Sequence, residues 1–384
     1  MTPHESPHPR FGRLALALGA RALAGAPRGH ARVAFAPAAL DVDTRAWLRE
    51  HARGHGPLAG DAESWFEIDA EELRAAAPPS PPLDALFAAH AAAGEDPPRP
   101  EVMAVLNATP DSFSDGGRHF DPALAVEAGL RFLEEGATWL DVGGESTRPG
   151  ARPVPPREEL ERVLPIVAGL AAEGCTRISI DTRRAEVAEA ALDAGAALVN
   201  DVGAGLDDPR MLEVVASAGC QYALMHRQGA PETMQVAPSY GDAVGEVTEF
   251  LRARAAACLE AGIAEERLFV DPGIGFGKQL EHNLDLLRRL GELRSLGLPL
   301  LVGPSRKSFI GHVTGRQEPG DWRASALRDA PEERVGGTAA AITFCVAAGA
   351  RVVRVHDVAI MAEACAVAEA LRERPTLPET APCS

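Results

Sequence analysis

The chain has 384 residues, of which 46% are hydrophobic, and this is enough for one large domain and a smaller appendage. It carries 38 Lys and Arg against 55 Asp and Glu, a formal charge of −17, so general electrostatic binding to nucleic acid or to an anionic membrane is not expected. No apolar run is long enough to cross a membrane, and the six cysteines show neither a Cys-x-x-Cys pair nor zinc-site spacing, so we expect reduced thiols in a cytoplasmic protein.

The start of the chain is separated from the rest by a proline-rich linker at 78–100. We place a boundary near its end, with residues 1–98 as an extension of uncertain fold and unknown function and 99–384 as the main domain. Within the extension, RVAFAP predicts a short strand and DAEELRAAA predicts a helix capped by Asp69. The histidines of this part are irregularly spaced, which indicates solvated loops and not a metal site.

From residue 101 onward, a short apolar run, a polar cluster and an amphipathic segment of helix length alternate about eight times. The apolar runs are VMAVLN, TWLDVG, RISID, ALVND, QYALMH, LFVDPG, PLLVG and RVVRVH. Strands that alternate with helices form parallel sheets, and eight such units favour a barrel over an open doubly wound sheet, whose Gly-x-Gly-x-x-Gly turn is missing. We therefore predict an α/β fold, a (β/α)8 TIM barrel with a small N-terminal extension.

Functional groups stand at the carboxyl end of every predicted strand, where the active site of such a barrel lies. In chain order they are Asn107, Asp141, Asp181, Asn200 with Asp201, Met225 with His226, Asp271, Ser305 to Lys307, and Arg354 with His356. A single strand-end carboxylate is often only a helix cap, but a purely structural barrel would not carry polar groups at all eight ends. We therefore expect one site at this mouth.

The polar groups sort into two chemical sets. The first contains acceptors and donors suited to a flat heterocycle, because a buried carboxylate accepts two parallel hydrogen bonds from an N–C–NH2 edge; its members are Asp181, Asn200, Asp271 and Lys307. The second suits phosphate oxygens, with Arg148, Arg354 and His356 beside the backbone of Gly143 and Gly144. GIGFGKQ is not a P-loop, since Gln279 follows its lysine, and no base accompanies SRKS to make a nucleophile.

Eight segments resemble, in order and at the expected strand ends, the motifs of the dihydropteroate synthases of the folate pathway. They are LNATPDSFSDGG, DVGGESTRPGA, SIDT, VND, LMHRQGAPETMQ, DPGIGFGK, GPSRKSFIG and RVHDV, within about 101–371. The resemblance implies a cytoplasmic transferase of the tetrahydrofolate pathway, built as a (β/α)8 barrel and dimerising through its outer helices. Such an enzyme joins 4-aminobenzoate to 6-hydroxymethyl-7,8-dihydropterin diphosphate and releases diphosphate, with Mg²⁺ as cofactor.

The resemblance also implies a role for each matching residue. The pterin ring would be bound by Asp181, Asn200, Asp271, Lys307 and Met225. The diphosphate would be held by Asn107, Arg148, Arg354 and His356, with Asn107 also close to the metal. The aminobenzoate site would be lined by Thr147, Phe276 and Ser305. Catalysis would rest on stabilising the departing charge, through Lys307, Arg354, His356 and Arg148, without an obligatory general base.

Two other functions stay open, and some of the chain departs from the family pattern. A pterin-binding methyltransferase barrel would share the heterocycle site but would not need STRPG or SRKSF. A pterin-binding protein without catalysis would be expected to have lost at least one site cation. Ala108 and Ile274 stand where the family often has larger or aromatic residues. Residues 1–98 lie outside the resemblance and are too short for a fused pterin pyrophosphokinase, which leaves a regulatory or oligomerisation module as our hypothesis.

Overall fold

The chain is described here from a computed structural model. The structure describes residues 21–23, 30–35, 54–57, 64–69, 99–108, 121–145, 154–229, 234–235, 238–316 and 330–372. The chain divides into two compact units, and these are Met1–Pro97 with Arg289–Leu298, and Pro98–Arg288 with Pro299–Ser384.

The first unit contains a four-stranded antiparallel sheet. Its strands are β1 (Arg21–Leu23), β2 (His30–Phe35), β3 (Gly54–Pro57) and β4 (Ser64–Asp69), in the order β1-β2-β4-β3. The strand predicted in RVAFAP overlaps β2. Asp69 ends β4, and the helix predicted to follow it lies outside the described residues.

The second unit is built on eight parallel strands. They are β5 (Glu101–Asn107), β6 (Trp139–Gly143), β7 (Ile178–Asp181), β8 (Leu198–Asp201), β9 (Gln221–Met225), β10 (Leu268–Asp271), β11 (Leu301–Val302) and β12 (Val352–Val355). The sheet order is β10-β9-β8-β7-β6-β5-β12-β11, and a parallel bridge between Val270 and Leu300 brings its two edges together. All eight apolar runs form strands, so the predicted (β/α)8 barrel is confirmed.

Helices occupy the amphipathic segments between the strands. They are α1 (Pro122–Glu134), α2 (Pro156–Ala172), α3 (Ala185–Asp193), α4 (Met211–Ala218), α5 (Ala243–Glu260), α6 (Leu280–Arg288), α7 (Ser308–Val313), α8 (Val335–Ala347) and α9 (Val358–Arg372). Short 3₁₀ helices cover Glu265–Arg267, Leu290–Leu296 and Pro331–Arg334. Asp121 caps α1 by accepting a hydrogen bond from the Ala123 amide at 2.9 Å. Within the described part of the chain, no helix is long and apolar enough to span a membrane.

An apolar layer fills the barrel below the mouth. One buried residue from each of seven strands contributes to it: Met103, Trp139, Leu198, Ala223, Phe269, Leu301 and Val352. These residues stand in the first three positions of their strands, so the layer seals the amino-terminal side. The polar strand ends lie on the opposite side, at the carboxyl ends of the parallel strands, where barrels of this class carry their active sites.

Candidate active site

The strand register aligns the predicted site residues at one level of the barrel. Asn107 is paired with Gly143, Gly143 with Asp181, and Asp181 with Asn200. On the other side, Asp271 is paired with Met225 at the ends of β10 and β9. Ser305 and Lys307 follow β11, and Arg354 and His356 stand at the end of β12. Thr147 and Arg148 lie outside the described residues.

Asp141 is the centre of a buried hydrogen-bond network across four strands. It is 0% exposed, and it accepts hydrogen bonds from Ser179 Oγ at 2.5 Å and Asn200 Nδ2 at 3.1 Å. The Arg354 guanidinium donates Nε–H to Asp141 at 2.6 Å and Nη2–H to Asp181 at 2.7 Å. A carboxylate only accepts, so Asp141 fixes the Asn200 amide with its nitrogen toward β6 and its oxygen available as an acceptor.

Burial makes Asp181 an unusually weak acid. It raises the pKa of this carboxyl to about 7, with Asp141, Glu159 and Asp201 adding to the rise and Arg354 opposing it. Burial opposes the charge on Arg354 as well, but Asp141 and Asp181 outweigh it and raise the guanidinium pKa. Arg354 is therefore a permanent cation between two carboxylates. The prediction that it binds diphosphate is not tested by these contacts, which use two of its five N–H donors.

The loop after β10 needs glycine at alternate positions. Gly273, Gly275 and Gly277 have φ angles of +67°, +85° and +61°. A Cβ on Gly273 would stand 2.0 Å from the carbonyl oxygen of His226, and one on Gly277 would stand 2.4 Å from that of Gln228. The loop therefore folds back tightly against the end of β9, which only glycine permits.

This tight turn gives Asp271 its surroundings. Its Oδ1 accepts the Gly273 amide at 2.7 Å. Burial raises the pKa of Asp271 to about 6, against the opposing effects of the Gly273 amide and of Lys307, Lys278 and Arg354. Asp271 is thus a buried carboxylate that is ionised near neutral pH and faces three cations.

The segment after β11 presents two predicted residues to different partners. Lys307 Nζ lies 4.1 Å from the centroid of the Phe276 ring, a cation–π contact that joins a predicted pterin residue to a predicted aminobenzoate residue. Ser305 Oγ lies 3.0 Å from His356 Nδ1. Between them Arg306 adopts a φ of +58° and forms a two-pronged ion pair with Asp357, at 3.0 and 2.6 Å, which holds the turn to the start of α9.

Comparison with known proteins decides the family. Residues 103–356 match the family model described as pterin binding enzyme. A dihydropteroate synthase of Synechocystis is 47% identical over 273 residues, covering 71% of this chain and 90% of the relative, and that of Escherichia coli K12 is 46% identical over 271 residues, covering 71% and 91%. The chain belongs to the dihydropteroate synthase family.

Solved structures agree with this assignment. A Xanthomonas albilineans dihydropteroate synthase with 4-aminobenzoic acid is 46% identical, with a TM-score of 0.65, and the match covers 72% of this chain and 94% of that one. The same enzyme in complex with 7,8-dihydropteroate matches with a TM-score of 0.63 at 44% identity, covering 72% and 95%. As a member of the dihydropteroate synthase family, the chain is a pterin-binding transferase of folate biosynthesis. The two departures from the family pattern, Ala108 and Ile274, are both fully buried.

A second polar network at the rim was not predicted from the sequence. Glu145 Oε1 accepts the Val154 amide at 3.1 Å and Arg184 Nη2–H at 3.2 Å, and Arg183 pairs with its Oε2 at 3.3 Å. Burial favours the neutral form of Glu145, but Arg183, Val154 and Arg184 outweigh burial and lower its pKa. In this dihydropteroate synthase family member, one ionised glutamate therefore links the two ends of the STRPG segment. Glu145 precedes the segment, and Val154, whose amide it binds, follows it. The paired arginines of SIDTRR were the available signal.

Lys278 is a further site residue that the sequence does not single out, although it lies in both the false P-loop match and the DPGIGFGK segment. It is 3% exposed, and its Nζ lies 2.9 Å from His226 Nδ1. The strand-end position of His226 is visible in the sequence, but its partner lies 52 residues away along the chain.

The donors among the described residues bear on the Mg²⁺ that the family resemblance implies. No group of three or more His, Cys, Asp or Glu side chains that could hold a metal ion occurs in the described ranges. Asn107, half-buried at the end of β5, offers an amide oxygen. Mg²⁺ commonly binds through one or two protein oxygens together with waters and substrate phosphates, so the donor set fits an ion carried with a diphosphate.

Proposed function

We propose that this chain joins 6-hydroxymethyl-7,8-dihydropterin diphosphate to 4-aminobenzoate and releases 7,8-dihydropteroate and diphosphate. Family membership supports this reaction, as do the 4-aminobenzoic acid and 7,8-dihydropteroate present in solved relatives. The single structural observation that carries the proposal is the cluster at the mouth, where Asp181 and Asn200 share one level and Lys307 adjoins Phe276.

The pterin ring would be recognised by buried acceptors. Asp181 and Asp271 accept the N–H edges of the ring, and the Asn200 amide oxygen, oriented through Asp141, accepts a third. Lys307 donates to the ring carbonyl. Met225 is 3% exposed and adjoins Gly273, so it forms an apolar floor on which the ring packs. A buried group without its hydrogen bond is costly, and this favours a heterocycle with matching donors over others.

The diphosphate would be held by Asn107, Arg148, Arg354 and His356. Mg²⁺, bound through Asn107 and the phosphates, would supply charge neutralisation of the leaving group. Ser305 contacts His356 Nδ1 and so fixes the ring that faces the phosphate. Together these groups stabilise negative charge as it develops, which is the largest single contribution in many enzymes.

The reaction then needs little proton transfer. The bond between the pterin methylene and the diphosphate oxygen breaks with its electron pair on oxygen, leaving a cation stabilised by the electron-rich dihydropterin. The aniline nitrogen attacks this carbon with its lone pair, and the resulting acidic ammonium loses its proton readily. Thr147, Phe276 and Ser305 would position the amine, and the chain needs no dedicated base.

Diphosphate release tests the proposed function. Purified full-length protein is given the pterin diphosphate and Mg²⁺, with and without 4-aminobenzoate, and both diphosphate and dihydropteroate are measured. Dihydropteroate formed only when the amine is present supports synthase activity. Tight pterin binding without product would instead favour a non-catalytic pterin-binding protein, and methyl transfer to a corrinoid protein would favour the methyltransferase barrel.

Lys307→Ala is expected to reduce kcat/KM at least about 100-fold while leaving the fold intact, because it removes a charge at the reacting centre. Circular dichroism checks the fold, and Arg288→Ala is a matched control, since it removes a cation from a side chain that is 66% exposed on α6. Full activity in Lys307→Ala would take this residue out of the site.

We also propose a cytoplasmic homodimer that binds only small-molecule substrates. Exposed apolar side chains on the outer helices support the dimer: Phe344 on α8, and Ile360, Val367 and Leu371 on α9. Sedimentation velocity measures this state, and a monomer at micromolar concentration would contradict it.

A further inference from the structure

Lysine is almost absent from this chain. Only two of its 38 Lys and Arg residues are lysines, Lys278 and Lys307. Both lysines act electrostatically on the same buried carboxylate, Asp271. The other 36 basic side chains are arginines, so these two positions stand out in the composition. Lys307 has a role in the proposed function, and Lys278 has none.

The surroundings of Lys278 match an ammonium ion. Three acceptors face Nζ: His226 Nδ1 at 2.9 Å, the Phe276 carbonyl at 2.9 Å and the His226 carbonyl at 3.3 Å. An ammonium carries three N–H donors, whereas a neutral amine carries two and would leave one acceptor without its bond. A planar guanidinium distributes its donors over three nitrogens and cannot direct them from one point.

His226 acts as the neutral partner in this arrangement. Burial, together with Lys278, lowers the pKa of its ring to about 3, so the ring is uncharged and accepts at Nδ1. The ring also packs edge-on against Phe250, at 4.8 Å between centroids. On the other side of the loop, Asn283 Oδ1 accepts a hydrogen bond from the Gly275 amide at 2.6 Å, which fixes the loop backbone.

We propose that Lys278 is a positioning residue of the pterin site, whose ammonium fastens the glycine loop to the end of β9 and so holds Asp271, which accepts the Gly273 amide of that loop, in place for the ring. The proposal rests on the proposed function for the identity of the ring. Lys278 touches no substrate and acts through Asp271 and Phe276. The charged and titratable groups around this pair are His226 directly after β9, Asp271 on β10, Lys307 after β11, Arg354 on β12 and Cys345 on α8.

The two charges support each other. Burial lowers the pKa of Lys278 to about 7, Asp271 opposes that fall and Lys307 adds to it. Reciprocally, Lys278 opposes the rise in the pKa of Asp271. The competent state, with Lys278 protonated and Asp271 ionised, is therefore lost on the alkaline side as Lys278 gives up its proton and on the acid side as Asp271 gains one.

Lys278→Met tests the proposal through the pH profile of kcat/KM for the pterin substrate. We expect kcat/KM to fall at least about 10-fold at pH 7. The acid limb of the profile should move upward by about 1 pH unit, and the decrease on the alkaline side near pH 7 should disappear. Lys278→Arg keeps a charge without the three-bond geometry, so it is expected to raise KM more than it lowers kcat. Arg157→Met, at a side chain that is 91% exposed on α2, is the control and should reproduce the wild-type profile.

A titration of the ligand-free protein tests the proposal even if Lys278→Met does not fold. Lysine labelled with ¹⁵N gives two side-chain signals, assigned with Lys307→Ala. In Asp271→Asn the buried Lys278 signal should titrate at least about 1 pH unit lower than in the wild type, because its counter-charge is gone. An unchanged titration, or a Lys278→Met profile that superimposes on the wild type, would overturn the proposal. Absence of synthase activity in the wild type would refute the proposed function and leave this titration measurable.

Discussion

Asp141 shows how much of the site depends on one residue that touches no predicted ligand. It is fully buried and takes hydrogen bonds from Ser179, Asn200 and Arg354. Removing one partner of a buried ion pair typically costs about 3–5 kcal/mol, because an uncompensated charge is left behind. At the scale of residues, the ligand-binding groups are therefore held in place by a carboxylate beneath them.

Asp181 provides a pH-dependent prediction at the same scale. Folding raises its pKa from 3.8 to about 7, so between these values the folded state keeps a proton that the unfolded state has lost. Its contribution to stability therefore falls as pH rises from about 4 to about 7, by up to about 1.4 kcal/mol per pH unit. Asp181→Asn removes this titration. Urea unfolding between pH 4 and 8 should show the variant gaining on the wild type as pH rises, and a constant difference would contradict the assignment.

The loop after β10 determines the site at the scale of elements. Its three left-handed glycines let the chain pass within van der Waals contact of the end of β9. As a result, the Phe276 carbonyl and His226 contact the ammonium of Lys278. The Phe276 ring contacts the ammonium of Lys307. The sheet joins β9 and β10 through backbone hydrogen bonds, and this loop adds a side-chain contact between the segments that follow them.

Gly273→Ala is expected to abolish this arrangement. The added methyl would stand 2.0 Å from a backbone oxygen that cannot move without distorting β9, so we expect at least about 3 kcal/mol of destabilisation and loss of pterin binding. Gly174→Ala is the matched control, since Gly174 has a φ of +84° but nothing within 4 Å of its added methyl. It should cost about 1–2 kcal/mol and leave binding unchanged. Equal effects of the two variants would show that backbone strain, and not the clash, dominates.

The elements were predictable from the sequence, and the connections among their side chains were not. Buried parallel strands are apolar on both faces, so runs such as QYALMH stand out. Glycines mark the ends of four helices, with φ angles of +84° to +116°: Gly136, Gly174, Gly195 and Gly262. Strand ends share one edge of a barrel, which made Asp181, Asn200 and Asp271 visible as candidates. The pairings of Lys278 with His226 and of Arg184 with Glu145 join residues 52 and 39 positions apart. Such pairings depend on register and rotamer, which periodicity does not encode.

At the scale of the whole molecule, the family match begins at the first strand of the barrel and ends at its last. The family model matches residues 103–356, and a relative is covered to 90% by a match that spans 71% of this chain. The site residues that the structure describes all lie in the second compact unit. A regulatory or oligomerisation role for the first unit stays a prediction.

Residues 99–384 expressed alone are therefore expected to fold and to form dihydropteroate with kcat/KM within about 3-fold of the full chain, a difference below about 1 kcal/mol. Thermal unfolding and the diphosphate assay measure both properties, with the full-length protein as the control. An insoluble or inactive product would make the first unit an integral part of the enzyme.

Because the chain has only two lysines, labelling of side-chain amines reports on two defined positions. An acylating reagent that modifies primary amines has two side-chain targets in the entire sequence, and one of them, Lys278, is 3% exposed. Lys307, half-buried at the mouth, is left as the principal acylation site among the side chains. Mass spectrometry of the acylated protein therefore reads out occupancy of the pterin pocket at a single residue, without a tag, a mutation or a fluorescent ligand.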